Sequence, residues 1–237
     1  MNSMPPAFPN VVVIHGAASN AVQPFVKQLP AGVLKIQVWN TTPPPDTADS
    51  VSVHADDDLV QALKDLGLPS PGRDRLGLVL AAVRTQERLL VGETDESIQQ
   101  QLDANVISLV GVVRDVLPTM IRARFGRIVF LSSFRAAAPT RGTSIYSASK
   151  AFGEVLMRSV STEYGRFGVS ASTIRMGYFE GGIMAARQEQ MRPAIESKIA
   201  LGRMGTGEVL AETLNFVLQQ PYVSGGCLDL NGGLDLG

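Results

Sequence analysis

The chain has 237 residues, of which 45% are hydrophobic and 18% charged, with a formal net charge of −1 and a single cysteine, Cys227. That length holds one domain with a sizeable core. A near-neutral chain has no basic field to draw it to nucleic acid or an anionic membrane, and one cysteine excludes an internal disulfide.

Val11-Val12-Val13-Ile14, ending at His15-Gly16, has the composition of a buried parallel strand. A turn and a helical stretch, Gln23 to Leu29, follow, so the chain opens as strand, glycine turn and helix. Val33 to Trp39 reads as the second strand. The proline-rich link from Asn40 to Ser50 is too short for a full crossover helix. Val51-Ser52-Val53 is a short third strand, and Asp56-Asp57-Asp58 opens a helix over Leu59 to Leu66. Those carboxylates suit the positive end of the helix dipole better than a metal, since no His or Cys cluster joins them. Leu78 to Ala82 is the fourth strand. Asp95 to Ile121 is helical, with Leu102, Val106, Leu109, Val113 and Leu117 on one face and Pro118 expected to kink or close it. Ile128 to Leu131 is the fifth strand, Tyr146 to Gly165 a long helix, Val169 to Ile174 the sixth strand and Gly226 to Leu230 the seventh. The glycine-flanked piece from Tyr178 to Met184 reads equally as a mobile lid or a plain surface excursion. No internal repeat or linker is evident, which makes residues 1–237 a single domain. Met1 to Asn10 has no basic n-region and no apolar core, and no apolar run approaches the roughly 18 residues of a membrane span. The expectation is a cytoplasmic protein that meets neither membrane nor nucleic acid and holds no metal.

Tyr146 and Lys150 are four residues apart, so a helix puts them on one face. Taken alone, such a pair is ordinary helix surface. An ammonium beside a phenol favours the phenolate and makes a proton donor tuned toward neutral pH. Ser133 stands at the C-terminal end of the fifth strand, where open α/β sheets bind ligands. Together with Asp103-Ala104-Asn105, Gly126-Arg127-Ile128-Val129, Ser132-Ser133, the Tyr146-Ser-Ala-Ser-Lys150 run, Leu201-Gly202-Arg203 and Asn231-Gly232-Gly233, these residues resemble the short-chain dehydrogenase/reductase family. The likeness is to its single-domain members related to 3-oxoacyl-carrier-protein reductases, and it is tightest from Asp95 to Gly233.

The resemblance implies a doubly wound, Rossmann-like α/β fold, a seven-stranded parallel sheet with helices on both faces. It also implies reduction of a carbonyl by NADH or NADPH. Tyr146 is then the proton donor, Lys150 the holder of the nicotinamide ribose, Ser133 the partner of the carbonyl oxygen and Asn105 the keeper of a relay water. Cofactor contacts fall on Gly16, Ser19, Asn20, Ala81, Tyr146, Lys150 and Gly177. The implied substrate is a small carbonyl compound or an acyl thioester, and a carrier protein would dock near Arg122, Arg124 and Arg166. The implied assembly is a homodimer or homotetramer.

The N-terminal third departs from the family pattern Thr-Gly-x-x-x-Gly-x-Gly. Gly16 keeps the first glycine, but His15, Asn20 and Val22 replace the threonine and the other two. Leu80-Ala81-Ala82-Val83 replaces the usual Asn-Asn-Ala-Gly, Met176 replaces a proline, and Gly181 replaces a threonine near the carboxamide. Trp39-Asn40-Thr41 offers neither the acid that selects NAD nor the base that selects NADP. Val22 is expected to push its helix outward, and Asn20 to take up a positive φ. Cofactor binding is therefore expected to be weak. A second reading stays open on the same evidence: a non-enzymatic or nicotinamide-free member of the fold, serving as a structural or regulatory subunit.

Overall fold

The computed structural model describes residues 8–39, 43–45, 49–54, 57–68, 74–181 and 190–235. Seven strands pair in one parallel sheet: β1 (Val11–His15), β2 (Leu34–Trp39), β3 (Ser50–His54), β4 (Leu76–Leu80), β5 (Gly126–Ser133), β6 (Val169–Met176) and β7 (Cys227–Leu230). Their order is β3-β2-β1-β4-β5-β6-β7, so β1 and β4 form the central seam, with Val11 opposite Leu76 and His15 opposite Leu80. Every strand boundary lies within two residues of the sequence expectation.

Alternation along the strands sorts the core into two layers. Val11, Val13, Leu78, Ile128 and Phe130 face one layer, covered by α2 (Leu59–Asp65), α4 (Ser108–Ala123) and α5 (Ser144–Tyr164). Val12, Ile14, Val79, Val129 and Leu131 face the other, covered by α1 (Gln23–Gln28) and α7 (Gly207–Gln219). Helices on both faces make the sheet doubly wound, as expected. All eight residues of β5 are buried, which a continuous apolar run requires when neither face meets water. Two short helices complete the described set, α3 (Asp95–Leu102) and α6 (Arg192–Glu196).

The stretch expected as one helix from Asp95 is continuous in space but not uniform. Between α3 and α4 lies a π turn, Asp103–Ile107. A π turn adds a residue, so the buried face slips by about 100° upstream of it. Gln101 and Asn105 are buried there, while Leu102 and Val106, expected inside, are only half-buried. Pro118 does not end the helix, which runs on to Ala123 and closes on Arg124 in the left-handed region at φ 51°. Proline is tolerated because it sits on the exposed face, where the freed carbonyl meets solvent. Contrary to the sequence expectation, the 29 residues from Asp95 to Ala123 are long and apolar enough to cross a membrane by composition. One face of this run belongs to the core beneath the sheet.

Asp58 caps α2, its carboxylate accepting the Gln61 amide at 3.0 Å, which accords with the dipole reading. Among the described residues no cluster of His, Cys, Asp and Glu could hold a metal. Asn40 and Thr41, Asp56, part of the proline-rich link, and the lid residues Gly182, Ile183 and Met184 lie outside the described residues.

Candidate active site

A cavity of about 270 Å³ opens at the C-terminal ends of β4, β5 and β6. Ser133, Tyr146 and Lys150 line it, together with Ser19, Ala81 and Gly177. Asn105, Gly16 and Asn20 do not reach its wall.

Local structure explains how the three come together. β5 ends at Ser133, whose hydroxyl accepts the Arg135 amide at 3.3 Å and starts a tight turn. The chain returns as α5, and Gly153 lets that helix lie against the Phe130 ring; a Cβ at Gly153 would fall 2.4 Å from it. Tyr146 and Lys150, one turn apart near the start of α5, are thereby aimed back over the strand end. Lys150 Nζ donates to the Leu131 carbonyl at 2.7 Å and lies 4.8 Å from the centre of the Phe130 ring. Burial holds its pKa down to about 7, against a smaller upward pull from Glu154.

Tyr146 differs from expectation. Burial raises the phenol pKa, and the hydrogen bond from Ser133 and the charge of Arg135 only partly offset this. Lys150 does not lower it, because burial has brought the lysine's own pKa down to about 7, so it is uncharged at the pH where the phenol would ionise. Tyr146 is therefore a protonated phenol at neutral pH, not a poised phenolate.

Asn105 holds a loop in place. Its Oδ1 accepts the Arg84 amide and its Nδ2 donates to the Arg84 carbonyl, both at 2.7 Å, with a second bond to Ser149 Oγ at 3.2 Å. The π turn is what swings Asn105 inward to clamp the segment after β4 against α5. Ser149 in turn donates to the Tyr146 carbonyl at 2.7 Å.

Two charged groups around the site, Glu154 and Arg135, went unremarked in the sequence, and His15 was noted there only as the residue in place of a threonine. His15 is buried at the end of β1 with its Nε2 2.9 Å from Ser108 Oγ; burial first, and then repulsion by Lys150, lowers its pKa to about 4. Glu154, one turn beyond Lys150, accepts Ser132 Oγ at 2.7 Å and pairs with Arg175 at 2.8 Å. Arg135 lines the cavity and pairs with Glu87 at 3.3 Å. The spacing of Glu154 from Lys150, again i,i+4, was the one available signal; Arg135 and His15 lie at strand ends, where periodicity says nothing.

The glycine turn is rebuilt. Gly16 has φ 84°, and a Cβ there would lie 2.4 Å from the Ala82 amide, so the first glycine is required. The Gly16 and Ala17 amides are both taken by the Val38 carbonyl, at 2.9 and 3.2 Å, and the Ser19 and Val22 amides close turns on Gly16 and Ser19. Pro24 in the first turn of α1 supplies no amide, and the Gln23 side chain bonds back to the Ala17 carbonyl at 2.6 Å. A pyrophosphate normally takes such amides at a helix N-terminus. Here most are spent. Val22 is not exposed at the turn: it is fully buried in the core beside Phe25 and Val26. Asn20 is not in the left-handed region either. Gly177 packs on Asn231, where a Cβ would meet its Cα at 2.8 Å. The residues present thus fit the nicotinamide end of a dinucleotide, and fit its phosphates poorly.

Arg122, Arg124 and Arg166 are exposed near the N-terminal ends of β5 and β6. The length of β5 separates them from Ser133.

The family model described as short chain dehydrogenase matches residues 77–192. A 3-oxoacyl-[acyl-carrier-protein] reductase of Pseudomonas aeruginosa is 30% identical over 152 residues, 63% of this chain and 62% of that protein. One from Bos taurus is 30% identical over 159 residues, covering 67% and 66%. The match thus spans somewhat under two thirds of the length of these relatives. Among solved structures, an oxidoreductase of the short-chain dehydrogenase/reductase family from Burkholderia thailandensis superposes with a TM-score of 0.81 at 26% identity, over 98% of this chain and 94% of that one. ElxO, solved with NADP bound, gives 0.79 at 15% identity over 95% and 98%, which speaks for the fold alone.

Proposed function

This chain belongs to the short-chain dehydrogenase/reductase family, and from that premise we propose that it reduces a carbonyl compound to an alcohol with NADH or NADPH. The observation that carries the reading is the convergence of Ser133, Tyr146 and Lys150 on one cavity at the C-terminal edge of the sheet. The nicotinamide, when bound, supplies the hydride that adds to the carbonyl carbon. Ser133 hydrogen-bonds the carbonyl oxygen and steadies the charge it gains. Tyr146 gives that oxygen its proton, so C=O becomes CH–OH. Lys150, whose pKa burial brings down to about 7, supplies a proton store one helical turn away and holds ribose hydroxyls. Asn105 serves the reaction by fixing the loop after β4 and the backbone beneath Tyr146.

Arg124 and Arg166 lie at the opposite edge of the sheet from this cavity. That position favours a free carbonyl substrate over one presented to the same subunit on a carrier protein. Ile107, Phe152 and Val155 are exposed on α5 and beside α4, which supports a homodimer or homotetramer built on those helices.

The test is reduction of a panel of free ketones by wild type and Tyr146→Phe, followed through loss of nicotinamide absorbance at 340 nm. Turnover in the wild type and its loss in the variant are expected. No turnover with either cofactor, together with no binding of NADH or NADPH, would leave the non-enzymatic reading.

A further inference from the structure

Arg135 is the cavity's unexplained cation. Glu87 takes its Nη1 at 3.3 Å, the one acceptor it has among the described residues, and the guanidinium lies 5.7 Å from the centre of the Phe134 ring. Its Nε is shut off from water and has no acceptor among the described residues. Burying a charged N–H without a partner is costly, so groups of this kind mark strain or a missing ligand. Thr85 is in the same condition: its hydroxyl is buried, makes no hydrogen bond among the described residues, and its side chain lines the same cavity. Both lie in the wall that carries Tyr146 and Ser133.

The geometry of the Arg135 pairing is informative. A guanidinium takes a carboxylate bidentately along an edge of two parallel N–H bonds. Glu87 occupies only Nη1, at the far side of the fork, and leaves the Nε–Nη2 edge without a protein partner among the described residues. Glu87 therefore orients the fork without filling it. Arg135 follows Ser133 by two residues in a tight turn, so its charge sits close to the carbonyl position and is felt at the Tyr146 hydroxyl. The cavity, at about 270 Å³, lies at the small end of ligand sites, which run from about 300 to 1,000 Å³.

We infer that Arg135 and Thr85 form a carboxylate clamp and that the substrate is a short oxo acid. Its carboxylate would take the Nε–Nη2 edge of Arg135 and the Thr85 hydroxyl, and its carbonyl would lie between Ser133 and Tyr146. Nε is shut off from water as the cavity stands, so the guanidinium has to turn into the cavity for this edge to meet a carboxylate. This identification rests on the reductase reading above, since it names the substrate of that same site.

Binding can be measured without turnover. The probes are 3-hydroxybutanoate and its ethyl ester, titrated calorimetrically into the full chain in the presence of NAD⁺ or NADP⁺. The acid is expected to bind at least about 10-fold more tightly than the ester, the scale of one charge-assisted hydrogen bond. Arg135→Gln should erase that preference and leave ester affinity within about threefold. Thr85→Val, nearly isosteric, should weaken the acid alone by a few-fold, which keeps the test open should Arg135→Gln not fold. An ester that binds as well as the acid to wild type would overturn the clamp, as would a preference that survives Arg135→Gln. The two readings fail separately. Turnover of ethyl 3-oxobutanoate without acid preference would sink the clamp and leave the reductase. Acid preference in binding, with no turnover of 3-oxobutanoate, would sink the reductase and leave the clamp.

Discussion

Burial raises the pKa of Tyr146, so the phenol keeps its proton throughout the neutral range, as the proposed acid must. Tyr146→Phe removes the hydroxyl and almost no volume, so the fold should hold while reductase turnover falls by about 10² to 10⁴. A rate within a few-fold of wild type would rule out Tyr146 as the acid. His15 gives a second residue-scale prediction, in stability. Its folded pKa of about 4 lies below the ordinary 6.5. Between those values the unfolded chain binds a proton that the folded one refuses, so stability falls as pH falls from 6.5 to 4. The loss is on the order of 3 kcal/mol across that window. Urea midpoints at pH 7 and 4.5 should therefore converge in His15→Gln relative to wild type. Nothing in the sequence foretold this group: a histidine after a valine run reads as a strand end, and only packing shows it to be sealed beside Lys150. Tyr146, Lys150 and Ser133 were legible through the family resemblance; helix spacing alone only put the first two on one face. Arg135 was not, since a turn residue's direction depends on the turn.

At the scale of elements, the sheet was readable because strands buried on both faces are forced to be β-branched and apolar, and each such run became a strand. The π turn was not readable: one added residue leaves no mark in propensity, and the apolar spacing from Leu102 to Leu109 suits an unbroken helix. Its consequence is Asn105, turned inward to clamp Arg84. Asn105→Ala would leave the Arg84 amide and carbonyl without their partner, at a cost of about 2–3 kcal/mol. Denaturant unfolding should show that loss, and KM should rise along with the fall in kcat, because the loop after β4 is released. A purely catalytic residue would lower kcat at unchanged stability. Helix α5 offers a contest of two magnitudes. Gly153→Ala improves helix propensity by about 1 kcal/mol, yet its Cβ would stand 2.4 Å from the Phe130 ring. Overpacking costs about 1–3 kcal/mol, so the variant should be less stable, and turnover should drop as Tyr146 and Lys150 are levered off the strand end. An unchanged melting temperature would show that Phe130 yields freely.

At the scale of the molecule, sedimentation should give a species well above the 25.3 kDa monomer at micromolar concentration. A lone monomer would count against packing through α4 and α5. Titration with NADH and NADPH should give weak binding of both, with dissociation constants in the high micromolar range or above, since the Gly16, Ala17, Ser19 and Val22 amides of the first turn are already taken by backbone carbonyls. Low-micromolar affinity for either would show that other donors replace them. The central seam bears on a different matter, the order in which the molecule comes apart. Every other strand pair joins neighbours in sequence, but β1 and β4 close a gap of about 65 residues, from Val11 to Leu76, at an entropic cost of about 4 kcal/mol. The family match begins at Gly77, on β4, so the recognisable part of the chain lies wholly on one side of that join. Two cooperative units sharing one seam would exchange amide hydrogens at different rates. The flank of β1, β2 and β3, with β3 half-exposed at its edge, would open first, and the ladder from β4 to β6 would hold its protons longest. A first flank able to drift while the flank from β4 to β6 stays locked is how a chain could depart from the glycine pattern and still keep Tyr146 in place.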